Sequence, residues 1–297
     1  MKVLVMGKDG QLGQSFQRLV NFNTQKTIAN YNFVFTGRED LDLSNSNKIF
    51  EHFEENKYDL ILNFAAFTNV DEAETSNSKA DMVNHIAVKA IAKMAMKHKM
   101  RLIHISTDFV FDGTKNKPYL ETDKASAINV YGKGKLAGEN ALMSNMKSNA
   151  IIIRTSGVYS EFGNNFVKTI IKLSQKNNYL NIISDQIGTP TYASDLANTI
   201  LEIITNEKFI SNDKPSEIYH YSNDGAISWY EFAKEIVEIC KIDCIVNPIP
   251  SSDYPLPAKR PKYSLLNKEK ISKEYDISIK DWRESLRICL KNLKTFN

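Results

Sequence analysis

The sequence is poor in cysteine and has no set of residues suited to a metal centre. Its 297 residues include three cysteines, Cys240, Cys244 and Cys289. An odd number of cysteines, in a chain whose first apolar run is too short for a signal peptide, favours reduced thiols and a cytoplasmic protein. Two neighbouring cysteines are too few for a zinc site and the five histidines are scattered, so no metal is predicted.

Long apolar runs, charge of one sign and repeats are also missing. No stretch of about eighteen apolar residues occurs, so no membrane span is expected. The 38 basic and 35 acidic residues leave a net charge of +3 and are mixed along the chain. A nucleic-acid-binding protein would gather its basic residues on one element. We therefore expect neither a membrane nor a nucleic acid as a partner, and find no internal repeat or low-complexity tail.

The first half of the chain alternates short β-branched runs with amphipathic stretches. Hydrophobic residues make up 42% of the sequence, which is enough for a substantial core. The alternation predicts an α/β fold of the Rossmann type, a doubly wound parallel sheet with helices on both faces. The predicted strands are residues 2–6, 32–36, 59–63, 101–106 and 150–154, and a helix is predicted over 79–99.

The rhythm changes after about Thr155. Residues 1–155 are predicted to form a dinucleotide-binding domain, to which later segments return, and residues 156–297 a smaller α/β region that binds the substrate. Four of the eight prolines fall within residues 250–261, too many for a regular element. The later helices are predicted at 164–176, 194–206, 229–241 and 280–294, and short strands at 180–184, 217–221 and 244–249.

A glycine-rich loop follows the first predicted strand. The sequence GKDGQLG places glycines at 7, 10 and 13, and a helix is predicted to begin near Gln11. Gly7 would permit a tight turn, Gly10 would let a diphosphate approach the backbone, and Gly13 would let the helix pack against the strand. The helix N-terminus would offer unpaired N–H groups to the anion. Three glycines can also simply punctuate a turn, but the strand before them and the helix after them favour a dinucleotide loop.

The ends of the second and third strands extend this site. A site that prefers NAD often has an acidic residue at the tip of the second strand, where this chain has Arg38. Arg38 would instead bind the 2′-phosphate of NADPH and favour NADPH over NADH. The alternative is that Arg38 is an ordinary surface arginine without a role in binding. Asp42 and Leu43 are expected to flank the adenine, and packing alone explains Ala65 and Ala66 equally well. The expected cofactor contacts are Gly7, Gly10, Gln11, Leu12, Gly13, Arg38, Asp42, Leu43, Asn63, Ala65 and Ala66, with Tyr131 and Lys135.

Polar residues of a catalytic type follow the fourth strand. Ligands bind beyond the carboxyl ends of parallel strands, where Ser106, Thr107 and Asp108 are expected. Tyr131 and Lys135 come later, four residues apart and so on one face of a helix. A free phenol has a pKa near 10, and a nearby ammonium would lower it, so that Tyr131 acts as a general acid or base near neutrality. Thr107 would hydrogen-bond the substrate carbonyl or the phenol, while Lys133 is expected to face solvent.

These motifs carry a resemblance to a known family. The glycine loop, the Asn-Phe-Ala-Ala sequence, Ser-Thr-Asp and YxxxK resemble the extended short-chain dehydrogenase/reductase superfamily. More narrowly, GQLG, STDxVFDG, YGxxKxxGE, RTSxVY, GNNFVKT, DQxGTPT and PAxRPxxS resemble the dTDP-4-dehydrorhamnose reductase family. They occur at residues 10–13, 106–113, 131–139, 154–159, 163–169, 185–191 and 257–264. The resemblance therefore spans nearly the whole chain, and the last three motifs are its most specific part.

The resemblance implies an activity and a set of roles. NADPH or NADH would reduce the C4 keto group of dTDP-4-dehydrorhamnose to give dTDP-L-rhamnose, for cell-surface polysaccharide synthesis. Tyr131 would protonate the developing alkoxide and Lys135 would position the cofactor. Arg260 also has a physical rationale, since guanidinium pairs bidentately with phosphate; an ordinary surface arginine is the alternative. The implied substrate contacts are Thr107, Asp108, Gly157, Asn165, Gln186 and Arg260.

Two departures from the family bear on the substrate. The family commonly has a tryptophan that packs on the sugar where this chain has Gly157, and a tyrosine where it has Phe109. A related deoxysugar is therefore an open alternative. Some relatives also hold magnesium with a glutamate shortly after the glycine loop, but residues 14–17 read QSFQ and no metal is predicted.

Two other functions remain compatible with the sequence. A nucleotide-sugar epimerase or dehydratase would keep the fold, although a dehydratase usually needs an acidic pair where this chain has Asp108 and Phe109. A non-catalytic subunit, like the regulatory β subunit of methionine adenosyltransferase, would not need the intact Tyr131–Lys135 pair. The sequence is compatible with a monomer or a homodimer.

Overall fold

The computed structural model describes residues 1–22, 28–211 and 214–296. Its strands are β1 (Lys2–Met6), β2 (Asn32–Thr36), β3 (Leu60–Asn63), β4 (Arg101–Thr107), β5 (Ala150–Thr155), β6 (Val158–Tyr159), β7 (Tyr179–Ile183), β8 (Ile187–Gly188), β9 (Thr191–Tyr192), β10 (Glu217–His220), β11 (Ile227–Ser228) and β12 (Ile245–Ile249). Its α-helices are α1 (Gln11–Phe22), α2 (Ser46–Glu55), α3 (Val70–Thr75), α4 (Asn77–Asp81), α5 (Ala87–Lys97), α6 (Val130–Asn145), α7 (Phe166–Ser174), α8 (Ala193–Thr205), α9 (Glu207–Ile210), α10 (Trp229–Cys240), α11 (Glu269–Tyr275) and α12 (Trp282–Phe296).

The central element is a six-stranded sheet in the order β10-β5-β4-β3-β1-β2. Every neighbouring pair is parallel. Side chains of β1 alternate between its two faces, with Val3 and Val5 in one core cluster and Leu4 and Met6 in the other. Helices α1 and α8 cover the first face, and α2, α5 and α6 cover the second. The predicted doubly wound α/β fold is therefore confirmed.

The predicted strands of the first half are present, with ends shifted by at most one residue. The single helix predicted over residues 79–99 is wrong in its interior, because α4 and α5 are joined by a π-helical turn, Met82–Ile86. Within this turn the buried Asn84 pairs with the backbone of Phe67, accepting from its N–H and donating to its carbonyl, both at 2.9 Å. This long-range pairing holds the turn against the loop that follows β3.

The later part of the chain packs around a core of its own. Tyr159, Phe232 and Trp282 are buried together, between α7, α10 and α12. Small sheets pair β7 with β12, β6 with β9 and β8 with β11. Strand β10 leaves this region and joins the central sheet beside β5. Within the described ranges, no helix has the length and apolar character needed to cross a membrane.

Candidate active site

A cleft of about 940 Å³ lies at the carboxyl ends of the central strands. Its walls come from the ends of β1 to β5 and from loops of the later region, so it occupies the position expected for a ligand site in a doubly wound sheet. Most of the site residues predicted from the sequence line it: Gly7, Gly10, Gln11, Leu12, Arg38, Asp42, Leu43, Ala65, Ala66, Thr107, Asp108, Tyr131, Lys135, Gly157, Asn165, Gln186 and Arg260.

The glycine loop is packed too closely for side chains at two of its glycines. Gly7 has a φ of +87°, and a Cβ there would lie 2.8 Å from the Ala65 nitrogen. A Cβ on Gly13 would lie 2.1 Å from the Gly7 carbonyl oxygen. Gly13 therefore lies behind the cleft, where it lets α1 approach β1. The role of Gly10 toward a diphosphate stays a prediction.

Two hydroxyl groups in the described part of the cleft wall have no hydrogen-bond partner in the protein and are free to bind a ligand. Among the described residues, Thr36 Oγ1 and Ser106 Oγ are buried with no hydrogen-bond partner, and both lie in the cleft wall. Such hydroxyls are normally satisfied when buried. They lie at the carboxyl ends of β2 and β4, and the N-terminus of α1, which is suited to a phosphate, lines the same cleft. The cleft therefore fits a dinucleotide along the strand ends.

Arg38 follows β2 at the wall of the cleft. Its side chain is 73% exposed, and its Nε lies 4.0 Å from Asp42 Oδ1. An exposed pair at this distance contributes little energy, so the guanidinium can turn to another anion. Asp42 accepts hydrogen bonds from the Ser44 backbone N–H and hydroxyl, which lower its carboxyl pKa.

Tyr131 lies in the first turn of α6 with its phenol against Thr107. Asn129 caps this helix by accepting a 2.7 Å hydrogen bond from the Gly132 N–H. Burial raises the pKa of Tyr131 to about 12, a hydrogen bond with Thr107 lowers it and the charge of Asp108 raises it. The expected fall in this pKa is therefore wrong. Tyr131 stays protonated at neutral pH, and this protonation state is the one needed to donate a proton.

Lys135 does not lower the pKa of Tyr131 because its amine is held by β4. Nζ donates a 2.6 Å hydrogen bond to the Ile105 carbonyl and lies 3.3 Å from His104 Nε2. Burial lowers the pKa of Lys135 to about 8, with Glu139 opposing the shift. Lys133 is exposed, as expected.

Asn63 shapes the cleft from behind and does not line it. Its side chain is 1% exposed, and its Nδ2 lies 3.1 Å from His104 Nδ1. Its Oδ1 accepts a 3.2 Å hydrogen bond from the Ala65 N–H. The expected contact with the dinucleotide is thus replaced by support of the loop that carries Ala65. Sequence reasoning missed His104, since an isolated histidine in a buried strand carries no motif.

Asp108 is a buried carboxyl beside the phenol. Thr107 Oγ1 donates a 3.1 Å hydrogen bond to Asp108 Oδ1, and Ser264 provides a second hydrogen bond. Burial nevertheless raises the pKa of Asp108 to about 6. Ser264 was not among the predicted contacts, although it is the serine that ends PAxRPxxS.

The YGxxKxxGE motif also has a packing basis. A Cβ on Gly132 would lie 2.1 Å from the Phe109 carbonyl, and one on Gly138 would lie 2.2 Å from the Asn84 carbonyl. Glu139 forms a buried bidentate ion pair with Arg154, with an Nη2–Oε2 distance of 2.6 Å. Small residues and this pair fix α6 against its neighbours, so that Tyr131 and Lys135 reach the cleft.

Two substrate contacts implied by the resemblance already have partners in the protein. Arg260 pairs with both carboxylate oxygens of Asp71, at 3.1 and 2.7 Å. Asn165 caps α7 and donates to Gln11 Oε1 at 3.0 Å. Within the described part of the chain, no group of three or more metal-binding side chains is close enough to hold a metal ion.

Comparison with known proteins gives the family. The model of the RmlD substrate binding domain matches residues 1–295. A dTDP-4-dehydrorhamnose reductase from Aggregatibacter actinomycetemcomitans is 36% identical over 302 residues, covering 99% of each chain. This chain belongs to the dTDP-4-dehydrorhamnose reductase family.

Solved structures of the dTDP-4-dehydrorhamnose reductase family agree over the whole fold. A crystal structure from Clostridium acetobutylicum has a TM-score of 0.90 at 35% identity, covering 99% of this chain and 100% of that one. A structure from Bacillus anthracis, in complex with NADP, has a TM-score of 0.89 at 31% identity, covering 98% and 99%. The predicted family is confirmed.

The departure from the dTDP-4-dehydrorhamnose reductase family at residue 157 has a local explanation. Gly157 has a φ of +50°, and a Cβ there would lie 3.0 Å from Cη2 of Trp229. Trp229 is the first residue of α10 and packs on Phe166 at 4.9 Å between ring centroids. It lines the cleft and thus brings an indole to the side of Gly157. The capping sequence Ser228-x-x-Glu231 signals the helix start, but not that the indole reaches the cleft.

Proposed function

We propose that this protein catalyses the NAD(P)H-dependent reduction of the C4 keto group of dTDP-4-dehydrorhamnose, forming dTDP-L-rhamnose for polysaccharide synthesis. The observation that carries this proposal is the phenol of Tyr131, protonated and hydrogen-bonded to Thr107, in the same cleft as the glycine loop. Relatives that match this chain from end to end are named for this reaction.

The glycine loop, the N-terminus of α1 and the hydroxyls of Thr36 and Ser106 would hold the cofactor. When bound, the reduced nicotinamide supplies the hydride. Arg38 favours NADPH, because its exposed guanidinium is close to the end of β2 and its ion pair among the described residues is a long contact with Asp42. The relative from Bacillus anthracis was solved in complex with NADP.

Tyr131 supplies the proton in this proposal. Reduction of a ketone leaves an alkoxide, whose conjugate acid is a weaker acid than a phenol. A phenol with a pKa of about 12 therefore transfers its proton downhill to that oxygen. Thr107 lies against the phenol and donates its hydroxyl proton to Asp108. In this proposal it turns that proton to the substrate oxygen when the sugar binds, since this oxygen can only accept.

The sugar pocket is proposed to use Trp229 as its aromatic wall. The indole lies against Gly157, the position where the family commonly has tryptophan. Asp108 would accept from a sugar hydroxyl, while Gln186, Asn165 and Arg260 face the nucleotide and its diphosphate. Because the indole comes from a different element, a related dTDP-deoxysugar remains the second candidate substrate.

We further propose which part of the chain binds which ligand, where the protein acts and in which oligomeric state. Residues 1–155 bind the dinucleotide, with β10 completing their sheet, and residues 156–297 mainly bind the nucleotide sugar. The protein is proposed to act in the cytoplasm as a monomer or homodimer, with the dTDP-sugar as its partner and without nucleic acid or membrane. Gel filtration with light scattering measures the assembly state.

The direct test mixes the protein with dTDP-4-dehydrorhamnose and either NADPH or NADH, and follows the absorbance of the reduced nicotinamide. We expect stoichiometric oxidation, faster with NADPH. An epimerase would convert a nucleotide sugar without net oxidation, and a regulatory subunit would show no turnover. Oxidation only with another dTDP-keto sugar would establish the second candidate.

A further inference from the structure

Asn63, His104 and Lys135 form a buried chain that the proposed chemistry does not use. His104 is fully buried in β4. Its Nδ1 lies 3.1 Å from Asn63 Nδ2, and its Nε2 lies 3.3 Å from Lys135 Nζ. At its other end the chain meets the backbone of the β3 loop, residues 64–68, which lines the cleft.

Hydrogen-bond donors and acceptors fix the tautomer of His104. The Ala65 N–H can only donate, so the Asn63 atom that faces it at 3.2 Å must be the oxygen. The amide nitrogen of Asn63 therefore faces His104, and because it too can only donate, His104 Nδ1 must accept. Burial and the charge of Lys135 hold the pKa of His104 well below its usual value, so the ring is neutral. Its single N–H is then on Nε2, directed at Lys135.

This tautomer suits a neutral amine at Lys135 and opposes an ammonium. A neutral amine has one lone pair, which accepts the Nε2 hydrogen, while one of its own N–H bonds donates to the Ile105 carbonyl. An ammonium has no lone pair, so two donors would face each other. The alternative is for His104 to carry its proton on Nδ1, which requires Asn63 to turn its oxygen toward the ring. The Ala65 N–H would then lose its acceptor.

The charges around Lys135 do not remove this preference. Glu139 lies on the same helix and favours the ammonium, but it is neutralised by its bidentate pair with Arg154 on β5. Tyr131 is protonated, and the charge of Asp108 acts on its phenol. The other elements packed on α6 also carry titratable groups, and water screens their charges because all are partly or fully exposed. They are Glu74 on α3, Asp81 on α4, His85 on the π-helical turn and Lys93 on α5.

We propose that His104 is a positioning residue of the reaction: it donates its Nε2 hydrogen to neutral Lys135 and, through Asn63, couples the proton on Lys135 to the backbone of the β3 loop. The catalytic part rests on the proposed reduction. Once Tyr131 has given its proton to the sugar alkoxide, an ammonium proton of Lys135, relayed by water in the cleft that both residues line, restores the phenol and leaves a neutral amine. His104 stabilises that amine, so it promotes release of the proton. Solvent then returns one proton to Lys135.

The tautomer is measured directly by nitrogen NMR of protein labelled with ¹⁵N-histidine. The chain has five histidines, and the His104 signal is assigned by its loss in His104→Phe, or in His104→Gln if the first variant does not fold. Above the pKa of Lys135, we expect a proton on Nε2 and none on Nδ1. A proton on Nδ1 in the wild-type protein would overturn the proposal, and this measurement needs no substrate or cofactor.

Asn63→Asp reverses the arrangement with little change of shape. A carboxylate oxygen still accepts from Ala65, and the other now accepts from His104 Nδ1, so the ring proton moves to Nδ1 and Nε2 can accept from an ammonium. In the proposed cycle, kcat falls at alkaline pH when Lys135 loses its proton. We expect the pH at which kcat is halved, the alkaline midpoint, to rise by about one unit or more. In a His104→Phe background the same substitution should produce a smaller shift, because the tautomer can no longer transmit it.

Charge alone is the competing explanation. Asn45→Asp adds the same charge at the exposed N-cap of α2 and should leave the midpoint unchanged. An equal shift from Asn63→Asp with and without His104 would refute transmission through the ring. A wild-type protein with the Nε2–H tautomer but no reduction of dTDP-keto sugars would refute the proposed function and leave the hydrogen-bond chain standing.

Discussion

Replacing Asp108 with asparagine should change how stability depends on pH. Burial raises the pKa of this carboxyl from 3.8 to about 6, against hydrogen bonds from Ser264 and Thr107. Because the pKa is raised in the folded state, the stabilising contribution of the protonated carboxyl is complete below about pH 4. It is lost as the pH rises through about 6. At neutral pH, the ligand-free protein therefore holds an unfavourable buried charge.

The size of the effect follows from the pKa shift. A rise from 3.8 to about 6 corresponds to about 3 kcal/mol of unfolding free energy, at about 1.4 kcal/mol per unit. Asparagine has nearly the same shape and does not titrate. The unfolding free energy of Asp108→Asn relative to that of wild type should therefore rise by about 2.5 kcal/mol between pH 4 and pH 8.

Urea unfolding of both proteins across this pH range provides the measurement. Asp112→Asn is the control, and its stability should depend on pH in the opposite direction. A hydrogen bond from the Thr114 backbone N–H lowers the pKa of Asp112, so the stability that the Asp112 carboxylate contributes is lost as the pH falls. A stability difference for Asp108→Asn that does not vary with pH, or that favours wild type more at high pH, would refute the reasoning. The variant should also bind the sugar nucleotide more weakly.

Three further predictions concern packing, the sugar pocket and the cofactor. Glu139→Ala should destabilise the protein by about 3–5 kcal/mol in urea unfolding, since it leaves a buried guanidinium unpaired; Glu269→Ala, in an exposed helical pair, should leave stability nearly unchanged. Gly157→Trp should raise KM for the sugar nucleotide because the new side chain meets Trp229 at a positive φ, and Gly157→Trp combined with Trp229→Ala should recover part of the loss; a single substitution without effect on KM would contradict this. Arg38→Ala should lower kcat/KM for NADPH about tenfold or more, given the strength of charged hydrogen bonds, and leave NADH nearly unchanged; equal losses for both cofactors would argue against a 2′-phosphate contact.

Periodicity and spacing predicted the framework well because they depend on local physics. Buried parallel strands require continuous apolar runs, and the five strands of the first half were found within one residue of their positions. Gly7 and Gly13 were interpretable because a tight turn and a close helix approach admit no Cβ. The four-residue spacing of Tyr131 and Lys135 likewise placed both on the cleft side of α6.

The parts that failed depend on contacts distant in sequence. The π-helical turn exists because Asn84 pairs with the backbone of Phe67, a contact that helical periodicity cannot indicate. Spacing alone did not reveal that the Lys135 amine binds the β4 carbonyl, so the predicted effect on the phenol was wrong. Trp229 reaches Gly157 from a helix far along the chain, and no local pattern links the two residues.

Steady-state kinetics of Tyr131→Phe with dTDP-4-dehydrorhamnose and NADPH, together with a measurement of NADPH binding, tests the central claim most directly. The substitution removes only the phenolic hydroxyl. The account predicts that kcat falls by about 10²–10⁴-fold, the usual contribution of a general acid, while the Kd for NADPH stays nearly unchanged. Near-normal turnover in this variant, or a wild-type protein inactive with both NADPH and NADH, would contradict it.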